Sequence, residues 1–184
     1  MVEPQRRAPS RLHARGAHFV IVEGRFYETL NDLLIQGAKR ALDAAGASHE
    51  IVTVPGALEI PIAIEMIREQ ALHGLRRADG FVALGAVIRG ETSHYEIVSN
   101  ESARALLELS THHALPLGNG ILTVETMEQA ELRAHPDKLD KGGDAARAAL
   151  TLHMLKHRRK PGGGNVVAFA GEVLRRLTPA KKAP

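Results

Sequence analysis

One histidine lies where a predicted buried strand gives way to a predicted helix. His94 follows the apolar run Gly80–Val87, which is typical of a strand covered on both faces. The polar turn Arg89-Gly90-Glu91-Thr92-Ser93 lies between them. The first turn of a helix leaves backbone N–H groups without partners, and its dipole favours a bound anion. An imidazole beside such an anion can transfer protons near neutral pH, so His94 is the candidate catalytic residue.

Other side chains that could take part in binding or catalysis also follow predicted strands. Phe26 lies in a polar stretch, and in a chain with few aromatic residues it can stack on a flat heterocycle or fill a core or interface position. Glu59 follows a turn within an apolar segment, where a ligand's hydroxyl groups could satisfy its carboxylate. Arg133, Lys138 and Lys141 form either an anion-binding set or a solvated surface.

The glycines do not form a known nucleotide-binding pattern. Gly80, Gly85 and Gly90 match neither the dinucleotide fingerprint nor the phosphate loop of NTPases. A smaller phosphate, held by backbone N–H groups and one or two cations, is therefore favoured. His153 and His157 have a spacing compatible with a metal, but because only two ligands are evident we expect no metal site there.

Four strand-then-helix units position these residues. Strands are predicted over residues 17–23, 49–54, 80–87 and 117–124. Helices are predicted over residues 28–45, from the turn at 55–56 to 72, and over 95–114, 126–134 and 143–159. We expect Pro61 in the first turn of the second helix. We expect the last helix to face inward with Ala145, Ala149, Leu152 and Leu155.

This alternation predicts the fold class. It indicates an α/β three-layer sandwich, in which a four-stranded parallel sheet of flavodoxin-like topology has helices on both faces. Ligands of such sheets bind beyond the carboxyl ends of the strands, near the point where strand order reverses. We therefore expect residues 24–27, 55–59, 88–94 and the segment from 125 onward to meet at one edge of the sheet.

Composition limits the class of protein. The 184 residues suffice for one domain that buries roughly 70% of its unfolded surface. The absence of cysteine excludes disulfides, thiolate metal sites and a cysteine nucleophile, and favours the cytoplasm. No apolar run approaches the ~18 residues of a membrane span. The basic N-terminus lacks the apolar segment of a secretory signal.

Charge is divided between the middle of the chain and its ends. Of the net charge of +3, residues 158–184 contribute +6 and residues 1–15 contribute +3, which leaves −6 for residues 16–157. An acidic body does not favour nucleic-acid binding, and basic tails are usually solvated. We predict a basic N-terminal arm over residues 1–15, one α/β domain over 16–160 and a flexible Gly-, Pro- and Lys/Arg-containing extension over 161–184.

Five blocks of sequence resemble the 6,7-dimethyl-8-ribityllumazine synthase family of riboflavin biosynthesis. They occur in the family's order over about residues 16–157: GRF at 24–26, VPGALEIP at 54–61, GAVIRGETSH at 85–94, NGILTVE at 119–125 and KGG at 141–143. The resemblance implies a transferase that condenses 5-amino-6-(D-ribitylamino)uracil with 3,4-dihydroxy-2-butanone 4-phosphate. Phosphate leaves, a second ring closes, and neither a metal nor an organic cofactor is needed.

The resemblance also implies roles for particular residues. Phe26 would stack on the pyrimidine, and His94 would transfer protons. Other contacts to the pyrimidine and ribityl groups would come from Ala57, Leu58, Glu59, Ala86, Val87, Ile88 and Asn119. The phosphate would be bound by the backbone N–H groups of Glu91 and Thr92 and by Arg133 of a neighbouring subunit, with Lys141 and Arg89 in support.

Two positions differ from common family members. Tyr27 stands where asparagine often follows the phenylalanine, and Asn119 stands where many relatives have a pocket phenylalanine. The amide of Asn119 could hydrogen-bond a substrate rather than pack against it, so its contact is left open.

The resemblance further implies a homo-oligomer with small-molecule substrates. Family members form pentamers with active sites between adjacent subunits, and some build a shell of twelve pentamers. Because residues 135–140 lack the glycine-containing turn associated with shell formers, a pentamer or a decamer is favoured here.

Two other functions are compatible with the same fold. A non-catalytic flavin or lumazine carrier, or a shell protein, would keep the pocket around Phe26. Such a carrier needs no phosphate site, so the presence of His94, Arg133 and the Glu91-Thr92 turn argues against it. A signalling domain of flavodoxin-like topology would have acidic residues clustered at the strand ends, and the sequence shows no such cluster.

Overall fold

The computed structural model describes residues 12–157. The strands are β1 His18–Gly24, β2 Ser48–Val54, β3 Gly80–Ile88 and β4 Leu117–Val124. The helices are α1 Glu28–Ala44, α2 Glu59–Leu72, α3 His94–His112, α4 Met127–Ala134 and α5 Lys141–Lys156. Every predicted strand and helix is present. Most of the predicted N-terminal arm and all of the predicted C-terminal extension lie outside the described residues.

The four strands form one parallel sheet in the order β2-β1-β3-β4. This order is the flavodoxin-like arrangement, so the predicted fold class is confirmed. The chain passes from β1 outward to β2 and then returns to the other side of β1 for β3. The strand order therefore reverses between β1 and β3, and a ligand is expected beyond Gly24 and Ile88.

Alternate side chains of the central strands enter two separate cores, because successive side chains of a strand point to opposite faces. Ile21 and Val82 belong to the core shared with α1, α4 and α5. Val22 and Phe81 belong to the core shared with α2 and α3. A strand buried on both faces has to be apolar throughout, which explains the continuous run in β3.

Local sequence sets where the helices begin and end. Gly46, with φ of +74°, follows α1 in the left-handed conformation that favours glycine. Pro61 lies in the first turn of α2, as predicted. The side chain of Thr126 accepts a hydrogen bond from the backbone N–H of Gln129 and so caps α4.

The predicted inward face of α5 is only partly correct. Ala145 and Ala149 are buried, whereas Leu155 is 65% exposed and Leu152 is also exposed. The inward face instead continues to the half-buried His153, whose ring packs edge-on against Phe19 at 5.6 Å between centroids. Leu155 lies two residues later, roughly 200° around the helix, so it points away from the core.

Among residues 12–157, the helices are too short or too polar to cross a membrane.

Candidate active site

Three of the four segments expected at the carboxyl edge of the sheet line one cavity of about 420 Å³. They are the turns that follow β1, β2 and β3, and the first turns of α3 complete the wall. The lining residues are Phe26, Tyr27, Gly56, Ala57, Leu58, Glu59, Ala86, Val87, Ile88, Gly90, Thr92, His94, Tyr95 and Val98. The structure therefore brings together nine of the residues that the sequence singled out, from Phe26 to His94.

Phe26 presents its ring to the cavity. The side chain is 73% exposed, which excludes a position in the core of the subunit. Tyr27 meets it edge-on, with 5.0 Å between ring centroids and 73° between ring planes. The exposed ring is therefore available to stack on a flat ligand.

The turns after β1 and β2 are in direct backbone contact. A Cβ atom on Gly24 would lie 2.7 Å from the carbonyl carbon of Gly56, closer than any side chain tolerates. Glycine at position 24 is therefore required for the two turns to form one wall of the cavity.

The floor of the cavity is the end of β3. Its pairing with β1 stops at Leu84, whereas its pairing with β4 continues to Ile88. Residues 86–88 consequently extend past β1, and their backbone polar groups on that side face the cavity rather than a strand. Such groups can hydrogen-bond the polar edge of a ligand.

Glu59 begins α2 at the rim of the cavity. The side chain is exposed, so its carboxylate is solvated without a ligand, contrary to what its apolar neighbours in sequence suggested. A carboxylate in the first turn of a helix is favoured by the helix dipole. It can accept hydrogen bonds from hydroxyl groups that enter the cavity.

The N-terminus of α3 offers an anion site beside His94. Within the described residues, Ser93 occupies the N-cap position without a side-chain capping hydrogen bond. Thr92 Oγ1 accepts a long hydrogen bond of 3.4 Å from the His94 N–H. The turn is exposed from Arg89 to His94, so an anion has access to the first N–H groups of the helix.

Arg89 lies outside the cavity and holds this turn in place through ion pairs. Its guanidinium pairs with Glu96 at 2.5 Å and with Glu125 at 2.7 Å, and it lies 4.1 Å from the centre of the Tyr95 ring. The hydrogen bond from Arg89 lowers the pKa of Glu96 below its ordinary value. Arg89 therefore connects the turn to the start of α3 and to the end of β4, where the fourth predicted segment begins.

Five predicted site residues do not line the cavity, although all lie within residues 12–157. Arg89 and Glu91 belong to the exposed turn before α3, and the other three are Asn119, Arg133 and Lys141. Asn119 faces a second cavity of about 430 Å³ that shares Tyr95 with the first, and its Oδ1 accepts from the Ile121 N–H at 2.9 Å. Arg133 donates to the Gln129 carbonyl at 3.0 Å. Lys141 donates to Asp144 at 3.3 Å. Within one subunit, Asn119, Arg133 and Lys141 thus lie outside the cavity that contains His94.

Among residues 12–157, no group of three or more His, Asp or Glu side chains could hold a metal ion. The rings of His153 and His157 lie 4.4 Å apart, and His153 Nδ1 is 3.4 Å from the Asp79 carbonyl oxygen.

Sequence reasoning missed several lining residues, among them Tyr95 and Val98 on α3. Helical periodicity could have found Val98, because it lies four residues after His94 on the same face. Tyr27 was noted as unusual, but its contact with Phe26 was not predicted.

Comparison with known proteins identifies the family. A family model described as 6,7-dimethyl-8-ribityllumazine synthase matches residues 16–157. The chain belongs to the 6,7-dimethyl-8-ribityllumazine synthase family. The matched range contains all residues that line the cavity, together with Asn119, Arg133 and Lys141.

Several named relatives of this lumazine synthase family cover most of the chain. A 6,7-dimethyl-8-ribityllumazine synthase of Methylocella silvestris is 62% identical over 146 residues, which are 79% of this chain and 89% of the relative. The protein of Rhizobium meliloti named 6,7-dimethyl-8-ribityllumazine synthase 1 is 62% identical over 77% of this chain and 92% of its own length. That of Agrobacterium fabrum is 58% identical over 79% of this chain and 97% of its own length.

Proposed function

We propose that this protein is a 6,7-dimethyl-8-ribityllumazine synthase acting in riboflavin biosynthesis. It would condense 5-amino-6-(D-ribitylamino)uracil with 3,4-dihydroxy-2-butanone 4-phosphate and release phosphate. The observation that carries the proposal is one cavity that contains an exposed aromatic ring, an open helix N-terminus and His94. These three features suit a flat heterocycle, a phosphate and a proton transfer, respectively.

The pyrimidine substrate would lie against Phe26. The backbone groups of residues 86–88 would hydrogen-bond its polar edge, and Glu59 would accept hydrogen bonds from the ribityl hydroxyls. Ala57 and Leu58 would limit the space on the opposite side. All of these residues line the same cavity, although they come from the segments that follow β1 and β2 and from the end of β3, and this supports the arrangement.

The phosphate of the second substrate would bind in the turn just before α3, through the backbone N–H groups of Glu91 and Thr92. The helix dipole favours a dianion there. The ketone of the same substrate would then lie beside His94, because Thr92 and His94 are two residues apart on the same turn. Holding both substrates in one cavity supplies much of the expected rate.

His94 would move the protons of the condensation. The amino group of the pyrimidine attacks the ketone, and the imidazole takes a proton from nitrogen and returns it to the departing oxygen, which leaves as water. Loss of the proton from the hydroxyl-bearing carbon of the imine then lets phosphate depart with the electron pair of its C–O bond, stabilised at the helix N-terminus. The enol that remains takes up a proton and becomes a second carbonyl. The ribityl-bearing nitrogen attacks this carbonyl, and loss of a second water closes the ring.

The remaining site residues would come from a neighbouring subunit. Arg133 would supply a cation to the phosphate, Lys141 would support it, and Asn119 would border the pyrimidine. The proposal is supported by their separation from His94 within one subunit and by the exposed apolar side chains Ile62 and Met66 on α2. We favour a pentamer or a pair of pentamers over a shell.

The test is product formation by the full chain. Mixing the protein with both substrates in the presence of a chelator should produce the lumazine chromophore. His94→Ala should slow turnover about 100-fold, the low end for loss of acid–base help. The control is His73→Ala, which removes an exposed histidine at the end of α2 and should leave the rate unchanged. Binding of the lumazine without any turnover of the substrates would instead support the carrier function.

A further inference from the structure

The turn that carries Phe26 is anchored by an ion pair whose carboxylate, from Glu23, is buried and whose guanidinium, from Arg25, is 32% exposed. Glu23, at the end of β1, is only 2% exposed. Arg25 Nη1 donates to both of its carboxylate oxygens, at 2.9 and 3.0 Å. The hydroxyl of Thr53 on β2 also donates to Glu23, at 2.8 Å. The carboxylate is therefore satisfied by partners from the turn and from the neighbouring strand.

The same turn is held by further contacts on both sides. Arg25 Nη2 pairs with Asp32 of α1 at 2.6 Å, and the Arg25 N–H donates to the Val54 carbonyl at 2.9 Å. The buried side-chain amide of Asn31 donates to the Gly24 carbonyl at 2.6 Å. The peptide groups that lead to Phe26 are thus fixed to β2 and α1 at once.

Core packing does not explain this arrangement. Replacing a buried ion pair by apolar groups of similar size is often neutral or stabilising, because desolvation offsets the attraction between the charges. The ring of Phe26 is itself largely exposed, with Tyr27 as its aromatic neighbour. Its orientation consequently depends on the backbone of residues 24–26, which is what the ion pair holds.

We propose that Arg25 is a positioning residue, which acts through Glu23 and Asp32 to hold Phe26 in the orientation that stacks on the heterocycle. The inference deepens the proposed function and rests on it. Small displacements of a binding group by about 1 Å can reduce a rate by up to about 100-fold. Loss of the ion pair should therefore affect recognition of the ring more than binding of the phosphate.

The experiment compares Arg25→Gln with Arg76→Gln in the full chain. Arg76 pairs with Glu50 at 2.7 Å near the opposite end of β2, so it is a matched ion pair away from the cavity. The affinity for 6,7-dimethyl-8-ribityllumazine is measured from its fluorescence, and inhibition by inorganic phosphate is measured separately. Thermal unfolding and molecular mass in solution are recorded for every variant.

We expect Arg25→Gln to weaken lumazine binding, and to raise KM for the pyrimidine substrate, by about tenfold. Inhibition by phosphate should stay within about twofold of the unchanged protein. Arg25→Lys should restore part of the affinity, because an ammonium group keeps a single charged contact with Glu23. Arg76→Gln should leave all binding constants unchanged.

Two results would overturn the inference. One is unchanged lumazine affinity in Arg25→Gln; the other is an equal loss of lumazine and phosphate binding, which indicates general damage. If Arg25→Gln does not fold, Asp32→Asn removes one exposed link and should give a smaller loss in the same direction; no loss there also rejects the inference. Failure of the proposed function would appear differently, as an unchanged protein that makes no lumazine.

Discussion

The two helical layers of this protein cover the sheet to different extents. On one side, α5 approaches both the sheet and α1 through glycine. A Cβ atom on Gly118 would overlap the carbonyl oxygen of Ala145, and one on Gly142 would overlap that of Leu34. We call the layer formed by α1, α4 and α5 the closed layer, because α5 meets both the sheet and α1 at backbone contact distance; Leu152 and Leu155 of α5 are nevertheless exposed.

On the other side, α2 and α3 leave apolar surface uncovered. Met66 is 62% exposed, and Ile62, Ile97 and Leu107 are also exposed. A groove of about 600 Å³ runs between the two helices. The candidate active site lies at the edge of this open layer, with Glu59 and His94 at the first residues of its two helices. The closed layer has the tighter backbone packing, and the candidate active site adjoins the open layer.

The largest effect is expected where the closed layer is tightest. Gly118→Ala places a methyl group where the Ala145 carbonyl lies, so β4 and α5 must separate. The free energy of unfolding should fall by more than the ~1–3 kcal/mol that is usual for overpacking. Chemical denaturation of the full chain measures this change. A loss below about 1 kcal/mol would show that the two elements are not held at this distance.

A matched pair of truncations compares the two layers directly. Leu34→Ala, at a fully buried position of α1, should destabilise the fold by about 2–5 kcal/mol. Met66→Ala, on the exposed face of α2, should change subunit stability by less than about 0.5 kcal/mol. Denaturation at a protein concentration where the subunit is monomeric measures both. Equal losses would remove the distinction between the layers.

A charge placed on the open layer should change assembly rather than folding. Ile62→Glu adds a carboxylate to the exposed apolar face of α2, and burial of that charge at a subunit contact would be unfavourable. We expect the mass in solution to fall, with helix content unchanged. Gln36→Glu, at an exposed position of α1, is the control and should keep the original mass. An unchanged mass for Ile62→Glu would place the contact elsewhere.

The smallest expected effect is a pH dependence of stability that arises from an ion pair on α3, in the open layer. The pKa of Glu96 is lowered from its ordinary 4.5 by the hydrogen bond from Arg89. A lowered pKa in the folded state contributes stability above the ordinary value, and this is lost as the pH falls through the folded pKa. The unfolding temperature should thus decline more between pH 5 and pH 3 in the unchanged protein than in Arg89→Gln. Identical slopes would contradict this role of Arg89.

Much of the fold followed from sequence because its signals are local. The unbroken apolar run of β3, the glycine after α1 and the threonine before α4 each act within a few residues. The inward face of α5 was mispredicted at Leu155, because the helix turns toward Phe19 through His153, and that choice depends on a residue more than 100 positions away.

The candidate site was predictable to the extent that strand ends converge. Phe26, Glu59 and His94 follow three different strands, and parallel pairing brings them to one cavity. The Arg25–Glu23 pair was not predicted, because nothing in the sequence indicates that a carboxylate at the end of β1 is buried. Asn119, Arg133 and Lys141 are assigned by family resemblance, and their participation stays a prediction.

The extension of β3 past β1 has a consequence for how this enzyme family can vary. Where the main chain of residues 86–88 supplies the polar contacts to a ligand, any residue that keeps the strand extended supplies the same contacts. Side chains there can change to suit packing against α3 without altering which heterocycle is recognised. Proline is the exception, because it removes a backbone N–H. A proline at residues 86–88 should therefore weaken binding of the ligand.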